Sequence, residues 1–191
     1  MSLYCALLAR LAGLDAERAE LIRIASPMHD VGKIGIPDRI LLKPGRLSVD
    51  ERRVMEAHTE MGHRILAGSD VELLDVAAVM ALTHHERIDG AGYPAGTAGA
   101  AIPIEGRICA IADVFDALTS DRVYRPAYQP DEARALMADG RGTQFDAELL
   151  DLFFASFDDV LAIRRAAGTG TVEQTLAIAL AHASGHRASR R

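Results

Sequence analysis

The sequence predicts an all-α protein, and three observations carry the prediction. Apolar residues recur at helical spacing through most of the chain, and caps and prolines stand where helices of that spacing should begin. No segment alternates polar and apolar residues as a half-buried strand does. With 191 residues, 49% of them hydrophobic and 25% charged, the chain suffices for one well-buried domain with some surplus.

The elements follow in order. Leu3 to Leu14 is apolar with few breaks and begins without a cap, as the second half of a helix would. Asp15 can cap a helix over Ala16 to Ala25, after which Ser26-Pro27 interrupts the backbone ladder and Pro27 opens a turn carrying His29 and Asp30. Gly32 and Gly35 end that turn, and Ile36 to Leu47, with Pro37, Pro44 and Gly45, reads as a connecting loop. Ser48-Val49-Asp50-Glu51 is a capping box for one helix reaching about Leu66 and carrying His58. Gly68-Ser69-Asp70 starts an amphipathic helix, Val71 to Thr83, that delivers His84 and His85 at its end.

A glycine-rich segment from Glu86 to Gly106 is too long for a simple connection, which points to a functional loop. Helix resumes over Arg107 to Ser120 with Asp113 and Asp116. Pro126 and Pro130 separate it from a short helix at Asp131 to Asp139, and Asp146 can cap a last long helix to about Arg165. The tail from Gly168 is rich in Ala, Gly and Arg, with one expected helix over Thr171 to His182. The expected organisation is the end of a helix over residues 1–14, a domain over 15–166 and a partly helical tail over 167–191.

Composition excludes several classes. Apolar runs are broken by charge before the roughly 18 residues of a membrane span, and no basic, apolar and small-residue leader is visible, so the expected location is cytoplasmic. Cys5 and Cys109 lie among apolar residues at helical spacing, which suits reduced core thiols better than a disulfide. A net charge of −6 argues against a nucleic-acid polymer as partner. A phosphate substrate therefore needs a local cationic pocket.

Candidate chemistry begins at His29-Asp30-Val31-Gly32-Lys33. At helical spacing Lys33 lies one turn beyond both His29 and Asp30, so imidazole, carboxylate and ammonium share one surface. Alone, such a dipeptide is usually a hydrogen-bonded pair at a helix end. Here His58, His84-His85 and Asp113 lie on, or at the ends of, other helical segments, and a bundle can point them all into one core. Six nitrogen and carboxylate donors suit two borderline divalent metals sharing a bridging Asp, an arrangement in which hydroxide forms at neutral pH and attacks phosphorus. No Ser-His-Asp or Cys-His nucleophile system appears, and the glycine-rich loop lacks the spacing of a nucleotide P-loop.

Five blocks, HDVGKIGIPDRILLKPG, HTEMGHRIL, HHERIDGAGYP, IPIEGRICAIADVFDALTSDRVYR and FDAELLDLF, closely resemble, in that order, the HD-GYP family of bacterial cyclic di-GMP phosphodiesterases. The family is a branch of the HD phosphohydrolases, and the resemblance covers about Leu14 to Phe154. It implies an HD-domain bundle of five core helices plus extra helices, with a metal site in the bundle core. It also implies hydrolysis of cyclic di-GMP to the linear dinucleotide pGpG, often on to GMP.

By position, His29, Asp30, His58, His84, His85 and Asp113 match the family's metal ligands, with Asp30 bridging. Asp30 and Lys33 would be the catalytic residues, Lys33 also touching phosphate. Arg122 and Arg125 match a basic substrate-binding pair, and Gly92-Tyr93-Pro94 is the signature tripeptide, on a loop thought to bind ligand or a diguanylate cyclase (GGDEF) partner. The metals would be Fe or Mn, with Zn, Co and Ni as further candidates.

Many members place a Glu and a His, four residues apart, upstream of Tyr4-Cys5-Ala6-Leu7, and this sequence does not contain them. The expectation is a binuclear site. An upstream sensory or receiver domain is common in the family, and a homodimer is left open. Gly62, one turn after His58, is expected to keep that face open near the metals. His63, rotated by roughly 140°, reads as a surface residue. Asp116 reads equally as an orienting carboxylate beside a ligand histidine or as a surface group. Two rival readings use the same residues: another HD-type nucleotide phosphohydrolase, and a catalytically weak module that binds cyclic di-GMP or docks a cyclase.

Overall fold

Helix after helix, with no strand among the described residues, is what the computed structural model contains; it describes residues 1–121, 126–167, 177 and 180. Helix α1 (Ser2–Leu11) is buried from Leu3 through Ala9. A helix apolar on every side belongs inside a bundle rather than on its surface. Helix α2 (Ala16–Ala25) begins at Asp15, whose Oδ1 accepts from Arg18 N at 2.7 Å. Pro27 then sits in a 3-10 turn, Ser26–Met28, and a second 3-10 segment follows at Val31–Gly35. The stretch expected as loop contains a short helix, α3 (Asp38–Leu41).

Two expected helices are broken, each for a local reason. Residues 49–66 form α4 (Val49–Glu56) and α5 (His58–Leu66), parted at Ala57. The Ser48 capping box is present, but near the end of α4 the carbonyls of Met55 and Glu56 bond the His58 ring and the Thr59 hydroxyl at 2.7 and 2.9 Å. Side chains thus compete with the helical ladder, and the chain turns. The last helix divides into α9 (Ala147–Ala155) and α10 (Phe157–Ala167) at Ser156, a break that lets Phe157 turn in toward Phe115, 5.9 Å between ring centroids.

Between these lie α6 (Glu72–Thr83), α7 (Ile104–Thr119) and α8 (Pro130–Ala138). Helix α7 starts three residues earlier than expected, directly after Pro103, and α8 carries an unforeseen capping box from Gln129 and Glu132. Helix α6 begins after Val71 without a side-chain cap, and the Ser69 hydroxyl takes Val71 N at 3.2 Å. The expected helix over 171–182 lies outside the described residues apart from Ala177 and Leu180, which are helical. No described helix is long and apolar enough to cross a membrane.

The core gathers around α1. Tyr4 meets Phe115 of α7 and Phe153 of α9 edge-on, at 5.3 and 6.3 Å, and burial with the nearby Asp116 charge pushes its hydroxyl up to about 12. Cys5 and Cys109 are both free and fully buried in this layer, as the sequence predicts. Helices α2, α6 and α7 are tied at one end by Arg18, which reaches Glu105 at 2.6 Å and Glu72 at 3.1 Å. The bundle leaves the turn after α2, the start of α5, the end of α6 and the middle of α7 facing one another.

Candidate metal centre

The turn after α2 is built to present its side chains. In 3-10 geometry residues three apart eclipse, so Lys33 lies directly over Asp30 and its Nζ meets Oδ2 at 2.5 Å. Gly32 allows the turn to touch α5: a Cβ there would overlap the His58 carbonyl and Gly62 N. Gly62 answers from the other side, where a Cβ would stand 3.1 Å from the Ala81 Cβ and 3.3 Å from Gly32 N. Gly62 therefore serves the packing of three segments, not an open face toward the metals. A glycine pair of this kind brings the Asp30 turn to His58.

Three histidines share one device. The Nδ1 of His29 lies 2.7 Å from the Ser26 carbonyl, that of His58 lies 2.7 Å from Met55 O, and that of His84 lies 3.0 and 3.1 Å from Met80 O and Ala81 O. A carbonyl can only accept, so each Nδ1 carries a proton and each Nε2 faces inward, offering a lone pair in the neutral rings of His58 and His84. The Asp30 carboxylate stands among them. Its Oδ1 is 3.3 Å from His58 Nε2 and 3.8 Å from His84 Nε2, while Oδ2 is 3.3 Å from His29 Nε2. From α7, Asp113 Oδ1 approaches His29 Nε2 to 3.7 Å.

Two buried polar atoms, His29 Nε2 and Asp30 Oδ1, have no hydrogen-bond partner. Leaving such atoms unpaired costs about 1–3 kcal/mol each, so these two atoms fit a cation-binding site better than a packing fault. Two groups of donor atoms, His58/His84/His85 and His29/Asp30/His84, each lie within 4.8 Å of one another and could hold a metal. They share His84, and Asp113 borders the second. The donor set fits borderline divalent metals.

Electrostatics supports the same reading. Burial, then the neighbouring histidines, holds His84 well below the usual histidine range and brings His85 down to about 3. Burial also lowers His58. All three are thus neutral at pH 7, the state in which an imidazole can bind a metal. Burial opposes the charging of Asp30, but His29 and Lys33 outweigh it and hold the carboxyl far below the usual range. Asp113 is lowered the same way, by His29 and His84 against its burial. For His29, burial opposes the charge, but the nearby Asp113 and Asp30 carboxylates outweigh it and push it up to about 10. Two half-buried carboxylates draw positive charge to this point.

The other expected residues divide. Tyr93 lies against His85, 4.7 Å between ring centroids with planes 31° apart, and Tyr93 N donates to His85 O at 3.2 Å. Gly92 lets this loop lie flat on the turn after α6, since a Cβ would come within 2.5 Å of Arg87 N and His85 O. Arg122 and Arg125 lie outside the described residues. His63 is half-buried rather than on the surface, its Nδ1 bonding Ala78 O at 3.2 Å to join α5 to α6. Asp116 takes the Met1 α-amino group at 3.0 Å instead of a ligand histidine.

Sequence reasoning missed Glu86. It is buried, and its carboxylate accepts from Ala95 N at 2.8 Å and Thr97 N at 2.9 Å, holding the glycine-rich loop over the site. The signal was an acidic residue directly after His84-His85, inside the quoted block HHERIDGAGYP. Also unforeseen is a cavity of about 270 Å³ beside His84 and His85, lined further by Arg52, Glu56, Arg87, Tyr93 and Gln144.

Imidazoles and carboxylates converging from a turn and three helices define a class: helical phosphohydrolase-type bundles with a metal centre in the core. The chain belongs to the HD domain family, whose model matches residues 1–149. It is 49% identical over 151 residues to the cyclic di-GMP phosphodiesterase response regulator RpfG of Xanthomonas campestris pv. campestris, covering 79% of this chain and 40% of that protein. To the 3′3′-cGAMP-specific phosphodiesterase 2 of Vibrio cholerae it is 46% identical over 164 residues, 86% of this chain and 31% of that one. A cyclic di-GMP phosphodiesterase of Thermotoga maritima is 44% identical over 144 residues, 75% of this chain and 39% of its own length.

These matches agree with the HD-GYP resemblance. The chain spans at most 40% of the length of these relatives. In fold it is similar to a crystal structure of the cyclic GMP-AMP specific phosphodiesterase V-cGAP3 of V. cholerae, with a TM-score of 0.57 at 17% identity over 92% of this chain and 48% of that one.

Proposed function

We propose that this chain is the hydrolytic part of a metal-dependent phosphodiesterase that opens cyclic di-GMP to linear pGpG and then to GMP. The observation that carries the proposal is the Asp30 carboxylate, which belongs to one donor group and lies 3.3 Å from His58 of the other, the two groups sharing His84. In this reading His29, Asp30, His58, His84, His85 and Asp113 hold two divalent cations, Fe or Mn first, with Zn, Co and Ni chemically admissible. Such cations supply the Lewis acidity that activates water and neutralises phosphoryl charge.

The chain's own groups do the rest. Lys33 sits at the mouth of the Asp30 turn, where its ammonium meets a non-bridging phosphate oxygen and stabilises the charge that builds there. Backbone carbonyls at Ser26, Met55, Met80 and Ala81 keep the imidazoles in one tautomer and orientation. Glu86 holds the loop that presents Tyr93 as a ring for a base to lie against. Arg122 and Arg125 are the proposed further phosphate contacts.

A relative's name, response regulator, supports an upstream receiver or other sensory domain in the whole protein. A cyclase (GGDEF) partner, a homodimer and a cytoplasmic location belong to the same proposal. A second substrate, 3′,3′-cGAMP, is favoured by the name of the V. cholerae relative.

The test is metal content of anaerobically purified protein, joined to a chromatographic assay with cyclic di-GMP, 3′,3′-cGAMP and mononucleotides. About two Fe or Mn per chain with pGpG or GMP as product is the expected outcome. Turnover of mononucleotides alone favours another HD nucleotide phosphohydrolase. Tight binding without turnover in metal-loaded protein leaves a binding module.

A further inference from the structure

We infer that the cavity between α4, the turn after α6 and the Tyr93 loop is a nucleobase subsite selective for guanine, with Glu56 and Arg52 reading the base. The inference rests on the proposed phosphodiester chemistry and adds a specificity element to it. Helix α4 places Arg52 and Glu56 one turn apart on one face, and both line the cavity that His84, His85 and Tyr93 also line.

Neither side chain has a hydrogen-bond or ion-pair partner among the described residues. Their neighbours are paired: Glu51 with Lys43 at 2.6 Å, Arg53 with Asp50 at 3.3 Å, and Arg87 with Asp89 at 2.6 Å. Glu56 is half-buried on the wall and Arg52 is exposed at the rim. Both reach the Tyr93 hydroxyl electrostatically. Beyond burial, the Glu56 carboxylate is the largest influence holding its proton on, and Arg52 acts the other way.

Charge decides what part of a substrate belongs here. A phosphate would be repelled by Glu56, and its natural seat is beside Lys33, which does not line this cavity. A base carries no charge. Guanine presents N1–H and the N2 amino group side by side, two donors for one carboxylate, while its O6 and N7 accept from one guanidinium. Adenine places a lone pair at N1, facing the carboxylate with no proton between them. The half-buried Gln144 amide adds a donor and an acceptor, and Tyr93 a ring. At about 270 Å³ the cavity lies just below the roughly 300–1,000 Å³ of whole-ligand pockets, which fits one base of a dinucleotide rather than all of it.

The experiment compares kcat/KM for cyclic di-GMP, 3′,3′-cGAMP, cyclic di-AMP and the base-free diester bis(p-nitrophenyl) phosphate, in metal-loaded wild type, Glu56→Gln and Arg52→Gln. Glu56→Gln is expected to lower the ratio of cyclic di-GMP to base-free turnover about tenfold to hundredfold, mainly through KM. It should also narrow the gap between cyclic di-GMP and cyclic di-AMP. Arg52→Gln, on the exposed rim where folding is not at stake, should move the same ratio in the same direction. Unchanged ratios in both variants overturn the subsite and leave the phosphodiesterase standing. A wild type that cleaves the base-free diester but none of the cyclic dinucleotides overturns the substrate reading, and the subsite with it.

Discussion

At the scale of single residues, the site works by fixing protons. Three histidines give Nδ1–H to backbone carbonyls, so their inward nitrogens are set before any cation arrives. Asp30 has the most neighbours to satisfy. Replacing it by Ala removes the carboxylate that joins one donor group to His58 of the other, and the expected result is metal content below about one per chain with turnover lost, read by elemental analysis beside an unchanged circular dichroism spectrum. A variant that keeps metal and full activity sinks the bridging role. Lys33→Ala separates charge stabilisation from metal binding: kcat should fall about 100-fold while metal content stays at the wild-type value. His63 and Asp116 show the limit of spacing arguments, since one joins two helices and the other pairs with an α-amino group from a distant part of the chain.

At the scale of elements, one close approach of backbones and one ring-to-carbonyl hydrogen bond position the centre. The turn of Val31–Gly35 rests on α5 through Gly32 and Gly62, with no side chain between them. Gly32→Ala should cost about 1–3 kcal/mol or more, because its Cβ meets backbone that cannot swing aside. A fall in Tm of about 2–12 °C follows for a chain of this size. Gly62→Ala, whose nearest contacts are at 3.1 and 3.3 Å, should cost less. Equal losses would show that the two glycines are not packed as described. The division between α4 and α5 has the same logic. The His58 ring takes the Met55 carbonyl, so the proposed ligand itself helps to end the helix before it.

Across the whole molecule, stability is coupled to charge at two places. Arg107 of α7 donates to Ile102 O at 2.9 Å and pairs with Asp146 at 2.6 Å, and Asp146 also caps α9. Burial opposes ionisation of Asp146, yet Arg107 and the Leu149 and Glu148 amides hold its carboxyl below the usual range. A folded pKa below the unfolded one means the unfolded chain binds more protons as pH falls. The stabilisation is therefore complete above about pH 4 and is lost as pH drops through the folded value. Asp146→Asn keeps the cap but not the charge, and should cost about 1–2 kcal/mol at pH 7, with the difference from wild type closing below about pH 4 in urea titrations. The metal centre is the second place. Mn or Fe at about 100 times its Kd should raise Tm by about 5–10 °C, reversed by chelation, since only the folded chain gathers the donors.

Local chemistry determined much of this in advance. Helical spacing predicted an all-α chain, and Asp15, Ser48 and Asp146 marked three helix starts through hydrogen bonds that span only two or three residues. His29, Asp30, His58, His84, His85 and Asp113 were visible as donors because metal chemistry draws on so few side-chain types. What spacing cannot encode is which surfaces meet. The breaks at Ala57 and Ser156, the hold of Glu86 on its loop, the role of Gly62 and the cavity around Glu56 depend on segments that approach only after folding. Their partners lie in other elements, so only the packed bundle decides them.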